Sequence, residues 1–343
     1  MDFSLDDSQS VLQDSARAFL AQHFPLSALQ ALAVDAPTPD LWAELAALGW
    51  AGLGVPETFG GVGGNTLDAC LLVEQLGYAC VPCPYIHSAV VSTAVLLEFA
   101  NADQKSQWLP SLASGEKRMA IALAESTGEF SPSSIHSTID ADGYLHGEKC
   151  FAKDVAHADA VIVVAREGDA WSAVIVPREA CKATPMDTLS GEQLFGLSFA
   201  GVPIDAEQRL GASGAGAGVL AVANASGALA RAAELVGLAQ RVLDICVEHI
   251  SVREQSGQPI GAFQALQHSS ADMLRDVEAS RALVYRAACT VGQSPPGTGA
   301  ENGIDASVAM AKAYASTAAL DVVRRGHQLM GAIGYCEEHP LHI

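Results

Sequence analysis

Hydrophobic positions recur every three to four residues through most of the first third of the chain, the spacing that lines one face of a helix. Val11, Leu12, Ala16, Phe19 and Leu20 form one such stripe, and Leu41, Trp42, Leu45 and Leu48 repeat it until Gly49 ends the pattern. Residues 67–76, 88–99 and 104–112 carry three further helical stretches. The texture changes near Arg118. Residues 119–125, 137–140, 144–149, 160–166 and 171–177 are short and apolar or alternating, and the turns Asp140-Ala-Asp-Gly143 and Glu167-Gly-Asp169 separate some of them, so they predict the hairpins of a small β domain. Residues 197–204 add another strand. Helical periodicity returns at Val219, with 229–250 apolar around most of its circumference, as in a helix packed among others. Residues 265–290 and 305–329 supply two more long helices, separated by a Pro/Gly-rich loop at 294–303.

The predicted fold is therefore mainly α with a central β domain. It has a helical N-terminal domain at 1–117, a β-barrel-like middle domain at 118–210 and a C-terminal helical bundle at 211–343. A chain of 343 residues is beyond the size one core serves well, which fits three packed units.

Two glycine clusters interrupt this pattern. Val55-Pro-Glu-Thr-Phe-Gly-Gly-Val-Gly-Gly-Asn65 reads as an interhelical turn, with a phosphate cradle as the alternative. Gly211-Ala-Ser-Gly-Ala-Gly-Ala-Gly218 lacks the lysine of a P-loop and the dinucleotide fingerprint, and reads as a joint between domains.

Charge narrows the function. The net charge of −20 argues against nucleic acid, and Arg17 is the only Lys or Arg among the first hundred residues. An anionic ligand would depend on a few local cations and helix termini further along. The N-terminus has no basic segment followed by an apolar run, and no apolar stretch reads as long enough to span a bilayer, so the expectation is a cytoplasmic protein without a membrane segment. Eight cysteines are scattered through mostly apolar stretches. Cys80-Val-Pro-Cys83 has metal or redox spacing, but without a second pair or a histidine at ligand distance the expectation is buried thiols and no metal site.

The segment Ser251-Val-Arg-Glu-Gln-Ser-Gly-Gln-Pro-Ile-Gly-Ala-Phe263 breaks two long helices with an arginine, glycines and a proline, a device for presenting polar groups. Together with Gly237-Leu-Ala-Gln-Arg-Val-Leu-Asp244, Gln328-Leu-Met-Gly-Ala-Ile-Gly-Tyr335 and Val55-Pro-Glu-Thr-Phe-Gly-Gly61, in this order around a β domain, it resembles the acyl-CoA dehydrogenase family over essentially the whole chain. The resemblance implies an FAD enzyme. A carboxylate removes the α proton of an acyl-CoA thioester while the β hydrogen leaves as hydride to the flavin. It also implies that Arg253, Gln255, Ser256, Ile260 and Phe263, with Gln328, Gly331 and Ala332, hold FAD bound mainly to a neighbouring subunit. Members usually have phenylalanine where Ser256 stands. His268 reads as a packed helix histidine.

The sequence departs from the family where a subunit holds its own flavin. A Thr-Glu-Pro-x-Ala-Gly-Ser-Asp run is replaced by Ala124-Glu-Ser-Thr-Gly-Glu-Phe-Ser131, and a Trp-Ile-Thr or Trp-Ile-Ser run by Phe151-Ala-Lys153. Phe151 can still cover the flavin ring. Many members carry the base in an Ile-Tyr-Glu-Gly-Thr-like run that would fall about a dozen residues past Ile343, and others at a helix position that here is Gly227. Glu234, Glu337 and Glu338 lie near the expected slot and read as solvated or salt-bridged, so no catalytic residue is assigned.

This asymmetry points to a non-catalytic partner, and the resemblance then implies a β-type subunit that completes FAD on a sister chain, in a heterotetramer acting on a bulky or steroidal acyl-CoA with an electron-transfer flavoprotein as acceptor. The alternatives are a self-sufficient homo-oligomer with a relocated base such as Glu234, and a flavin-free scaffold.

Overall fold

The structure, a computed structural model, describes residues 5–25, 27–28, 41–189, 192–292, 306–336, 339 and 341. The 294–303 loop, Glu337, Glu338 and Ile343 lie outside the described residues.

The chain opens with α1 (Asp7–His23), α2 (Trp42–Ala47) and α3 (Thr66–Ala79). Asp6 starts α1 by a reciprocal capping box with Gln9, and Asn65 starts α3 in the same way with Asp68. A π-helical segment, Tyr85–Ser92, runs directly into α4 (Thr93–Phe99), and α5 (Ala102–Ala113) completes the unit. Periodicity alone predicted an ordinary helix from residue 88. The stripe was also too generous, since Val11 and Leu48 are 64% and 48% exposed.

Eight strands form one mixed sheet: β1 (Met119–Ala122), β2 (Thr138–Ile139), β3 (Tyr144–Lys153), β4 (Ala160–Glu167), β5 (Ala170–Pro177), β6 (Lys182–Met186), β7 (Leu194–Pro203) and β8 (Arg209–Leu210). The spatial order is β6-β7-β3-β2-β4-β5-β8, and β1 lies alongside β4 in parallel. Strand β6 has no apolar alternation, which is why the sequence pattern passed over it. In β4 both faces are buried: Val161 and Val163 enter the core of the sheet, while Ile162 and Val164 join the core shared with the helices. That double burial accounts for a continuous apolar run in place of alternation.

The last unit is α6 (Gly216–Val252), a hairpin of β9 (Glu254–Gln255) and β10 (Gln258–Pro259), α7 (Gln264–Gly292) and α8 (Ala306–Met330). Gly216, the first residue of α6, has no room for a side chain: a Cβ there would lie 2.6 Å from the Trp171 backbone, so the Gly/Ala tract is a close joint against β5. By length and composition α6 can cross a membrane, contrary to the expectation from sequence. In the fold it packs against α3, α7 and α8, and its apolar faces enter two of the three cores. At the crossing with α3 the backbones nearly touch: a Cβ on Gly237 would be 1.9 Å from the Glu74 carbonyl oxygen, and one on Gly77 2.2 Å from that of Glu234. Beside this contact Glu74 accepts hydrogen bonds from Arg281 Nε at 3.0 Å and Tyr285 Oη at 3.1 Å, tying α3 to α7.

Candidate active site

Strand β3 loses register with β7 between Lys149 and Ala152. The bulge puts Phe151 in the left-handed region, φ 58°, and leaves its ring 43% exposed. Bulges often re-aim a side chain in this way beside functional sites. Phe151 lines a cleft of about 660 Å³ between sheet, π-helical segment and α6. Ile86, Val91, Ile121, Leu123 and Ala228 supply apolar walls, and Gly227 opens the α6 side.

The lip of the cleft is residues 124–131, anchored by a carboxylate. Glu125, 7% exposed, accepts from Lys149 Nζ at 2.9 Å, the backbone N–H groups of His136 and Ser137 at 2.8 and 2.9 Å, and Ser137 Oγ at 2.8 Å. Burial opposes its charge, but the Lys149 ammonium and the two backbone donors outweigh burial and hold its pKa below the usual value. Lys149 is itself fully buried, and burial lowers its pKa against the pull of Glu125. This glutamate is a clamp, and its oxygens are already satisfied.

The ionisable groups lining the cleft are His87, Glu129, Cys150, Lys153, Arg231 and Lys312. Lys153, where the family has a hydroxyl, is paired with Glu192. Arg231 is paired with Glu234 at 2.6 Å, so the relocated base considered from sequence is engaged in a salt bridge and is absent from the cleft wall. His87 Nδ1 lies 2.6 Å from Asp154 Oδ2, a pair that sequence reasoning missed. The partners are 67 residues apart and belong to different units, so no local motif marks them.

The other site residues assemble elsewhere. Arg253 caps α6, and Ser256 and Gly257, at φ 54° and 79°, turn the hairpin. Arg253, Gln255, Ser256 and Phe263 are exposed, as are Gln328, Gly331 and Ala332 at the end of α8. Half-buried Ile260 packs on a core containing Ile250, Leu329 and Met330, which brings the two groups to one end of the bundle. His268, expected to be packed, is exposed. Arg253 makes no ion pair among the described residues, so its charge is available to an anionic ligand. Gly227 and Arg253 are 26 positions apart on α6 (253 − 227), about 39 Å at the helical rise. Phe151 and the Arg253 group therefore form two half-sites, one near each end of α6.

The remaining sequence candidates are structural. In the first glycine cluster the N–H groups of Gly61, Val62, Gly63 and Gly64 donate to the carbonyls of Pro56, Gly52, Val55 and Leu53, so these four amides are spent within the chain and do not form a phosphate cradle. Cys80 closes α3, and burial pushes its thiol up to about 11 and that of Cys83 to about 12, far from the range of a reactive thiolate. Among the described residues no cluster of three or more His, Cys, Asp and Glu is placed to hold a metal ion.

A helical–β–helical fold with an apolar cleft beside the sheet and an exposed polar hairpin at the end of α6 is the architecture of an acyl-CoA dehydrogenase-type flavoprotein. The chain belongs to the acyl-CoA dehydrogenase family: residues 6–116 match the acyl-CoA dehydrogenase N-terminal domain and residues 214–342 the C-terminal domain. The short-chain specific acyl-CoA dehydrogenase of Megasphaera elsdenii is 30% identical over 363 residues, covering 99% of this chain and 92% of that protein. The glutaryl-CoA dehydrogenase–glutaryl-CoA complex superimposes with a TM-score of 0.92 at 27% identity, covering 99% of this chain and 89% of that one. The Tcur3481–Tcur3483 steroid ACAD superimposes with a TM-score of 0.85 at 28% identity, covering 98% and 90%. FAD is the cofactor that family membership assigns, and both half-sites suit it: an aromatic ring at the cleft, and at the hairpin an exposed arginine without an ion pair among the described residues, beside exposed amides.

Proposed function

We propose that the chain is a subunit of an oligomeric acyl-CoA dehydrogenase in which each FAD lies between the Phe151 cleft of one subunit and the Arg253 hairpin of the next. The separation of about 39 Å along α6 carries this reading, because one dinucleotide does not bridge both half-sites of a single chain. Arg253 would neutralise the diphosphate. Gln255, Ser256, Ile260 and Phe263, with Gln328, Gly331 and Ala332, would hold the rest of the nucleotide against the neighbour. Phe151 would cover the ring system. Bound there, FAD supplies the two-electron oxidation, while the walls of the cleft keep water from an acyl thioester seated beside it.

The cleft also bears on the composition of the oligomer. Gly227 removes the carboxylate some relatives place on this helix, and Glu234 is tied to Arg231. These features support a heteromer in which this chain is the non-catalytic partner, its hairpin completing the FAD site of a glutamate-bearing sister chain. The structural likeness to a steroid ACAD, together with the size of the cleft, supports a bulky acyl-CoA substrate. An electron-transfer flavoprotein is the proposed acceptor. A homo-oligomer that does its own chemistry is favoured by one observation, the ordered His87–Asp154 pair. The visible spectrum separates these cases. Flavin absorbance only after co-expression with a sister chain supports the heteromer, and absorbance from this chain alone supports the homo-oligomer. Colourless protein in both preparations refutes the shared-FAD reading.

A further inference from the structure

The cleft contains an oriented base that is not a carboxylate. His87 sits on the π-helical segment, an irregularity found often at functional sites. Its position is fixed from several directions. Ser92 Oγ donates to the His87 carbonyl at 2.7 Å, Ser88 Oγ accepts the Met119 N–H at 3.1 Å, and Tyr85 Oη donates to the Trp50 carbonyl at 3.0 Å. Asp154, its partner, follows the Phe151 bulge and is itself left-handed at φ 60°. A non-glycine residue in that region is strained, and such strain collects at sites where the surroundings over-determine a geometry. The contact thus joins two irregular segments beside the cleft, with His87 on its wall.

The chemistry follows from the partner. A carboxylate only accepts hydrogen bonds, so Nδ1 of a neutral His87 carries the proton and Nε2 the lone pair. Nε2 makes no hydrogen bond among the described residues, and the His87 side chain, 17% exposed, lines the cleft. The other ionisable groups on the wall are less suited to act as base. Lys153 and Arg231 are paired cations, Lys312 Nζ contacts Ser316 Oγ at 2.6 Å, burial raises the Cys150 thiol, and Glu129 belongs to the exposed lip.

We propose that His87, oriented by Asp154, takes up the α proton of an acyl thioester bound in this chain's own cleft. The proposal rests on the homo-oligomer reading above, in which this chain's own cleft receives the thioester beside FAD, and it stands as the alternative to a non-catalytic role. In the step, the α C–H bond breaks and its proton forms a bond to Nε2, while the electron pair enters the enolate of the thioester. Asp154 stabilises the resulting imidazolium through Nδ1–H. FAD, if held beside Phe151, would supply the two-electron oxidation by accepting the β hydrogen as hydride, which balances the loss of the α proton to His87.

Proton transfer can be read without electron transfer. Tert-butylacetyl-CoA has α hydrogens and no β hydrogen, so it can exchange but cannot be dehydrogenated. The flavin-loaded protein is incubated with it in D2O, deuterium in the recovered thioester is measured by mass spectrometry, and binding is measured separately by calorimetry. Wild type should incorporate deuterium at the α carbon. His87→Asn keeps an N–H for Asp154 but has no basic nitrogen, and should slow exchange by about 100-fold or more with binding unchanged. Asp154→Asn retains an acceptor for Nδ1–H without the charge and should also slow exchange, which keeps the test open if the first variant does not fold. Binding without exchange in wild type, or wild-type exchange rates in a folded variant, overturns the proposal while leaving the proposed function standing. Failure of the flavin-loaded wild type to bind the thioester at all overturns the proposal together with the homo-oligomer reading, and leaves the heteromer standing.

Discussion

Replacing Lys149 by methionine should loosen the lip of the cleft by stranding a buried carboxylate. Lys149 is fully buried, and among the described residues its ammonium is the only cation bonded to Glu125, at 2.9 Å. Breaking a buried ion pair from one side costs about 3–5 kcal/mol, because the remaining charge stays desolvated. Three donors from His136 and Ser137 remain on Glu125, which places the expected loss near about 3 kcal/mol at neutral pH. The sign of the pH dependence is fixed by the carboxylate. The folded-state pKa of Glu125 lies below its usual 4.5, so its contribution is complete above that value and is lost as pH falls through the folded pKa. Without Lys149 the burial effect dominates and raises that pKa, so the variant can relieve its penalty by binding a proton. The gap between wild type and variant should therefore be widest near neutrality and narrow below pH 4.5. Urea unfolding of the sheet, followed by Trp171 fluorescence in a background where the other tryptophans are replaced, measures this at both pH values. Adding Glu125→Gln to the lysine variant should recover part of the loss. A cost below about 1 kcal/mol at pH 7, or an equal cost in acid, would refute the clamp.

Three further outcomes can be checked directly. The same substitution at two glycines of α6 should have opposite signs: Gly227→Ala, whose Cβ meets only Val91 Cγ2 at 3.6 Å, should be neutral or stabilising by up to about 1 kcal/mol, whereas Gly237→Ala, 1.9 Å from a carbonyl oxygen, should cost about 3 kcal/mol or more in a thermal melt. Glu234→Gln should leave turnover within about two-fold of wild type, since its carboxylate serves Arg231 in an ion pair of modest energy; a loss of about 100-fold would restore Glu234 as a base. Arg253→Gln should leave the melting temperature of the flavin-free protein unchanged and weaken FAD retention by the oligomer about ten-fold or more, as scored by flavin absorbance after gel filtration, because it removes a charge-assisted contact to phosphate.

The sequence alone determined the order helices, sheet, helices, because the periods of helix and strand differ and each reports local geometry. Net charge, a sum over the chain, also supplied the argument against nucleic acid, and the Arg253 and Gln328 motifs, read in order along the chain, gave the family. What the tertiary structure decided was which side chains meet. Periodicity placed Val11 and Leu48 on apolar stripes, yet a stripe is buried only as far as a neighbour covers it, and both emerge at its edge. The apolar length of α6 satisfied the criterion for a membrane span, and only its packing against α3, α7 and α8 shows where its faces go. The fates of Lys149 and Glu234 were equally hidden, one drawn into the sheet by Glu125 and the other captured by Arg231. The cleft's base candidate was the least legible of all. His87 and Asp154 each look ordinary in sequence, and their contact depends on a π-helical turn in one unit and a bulge in another, geometries set by packing across the interface between them.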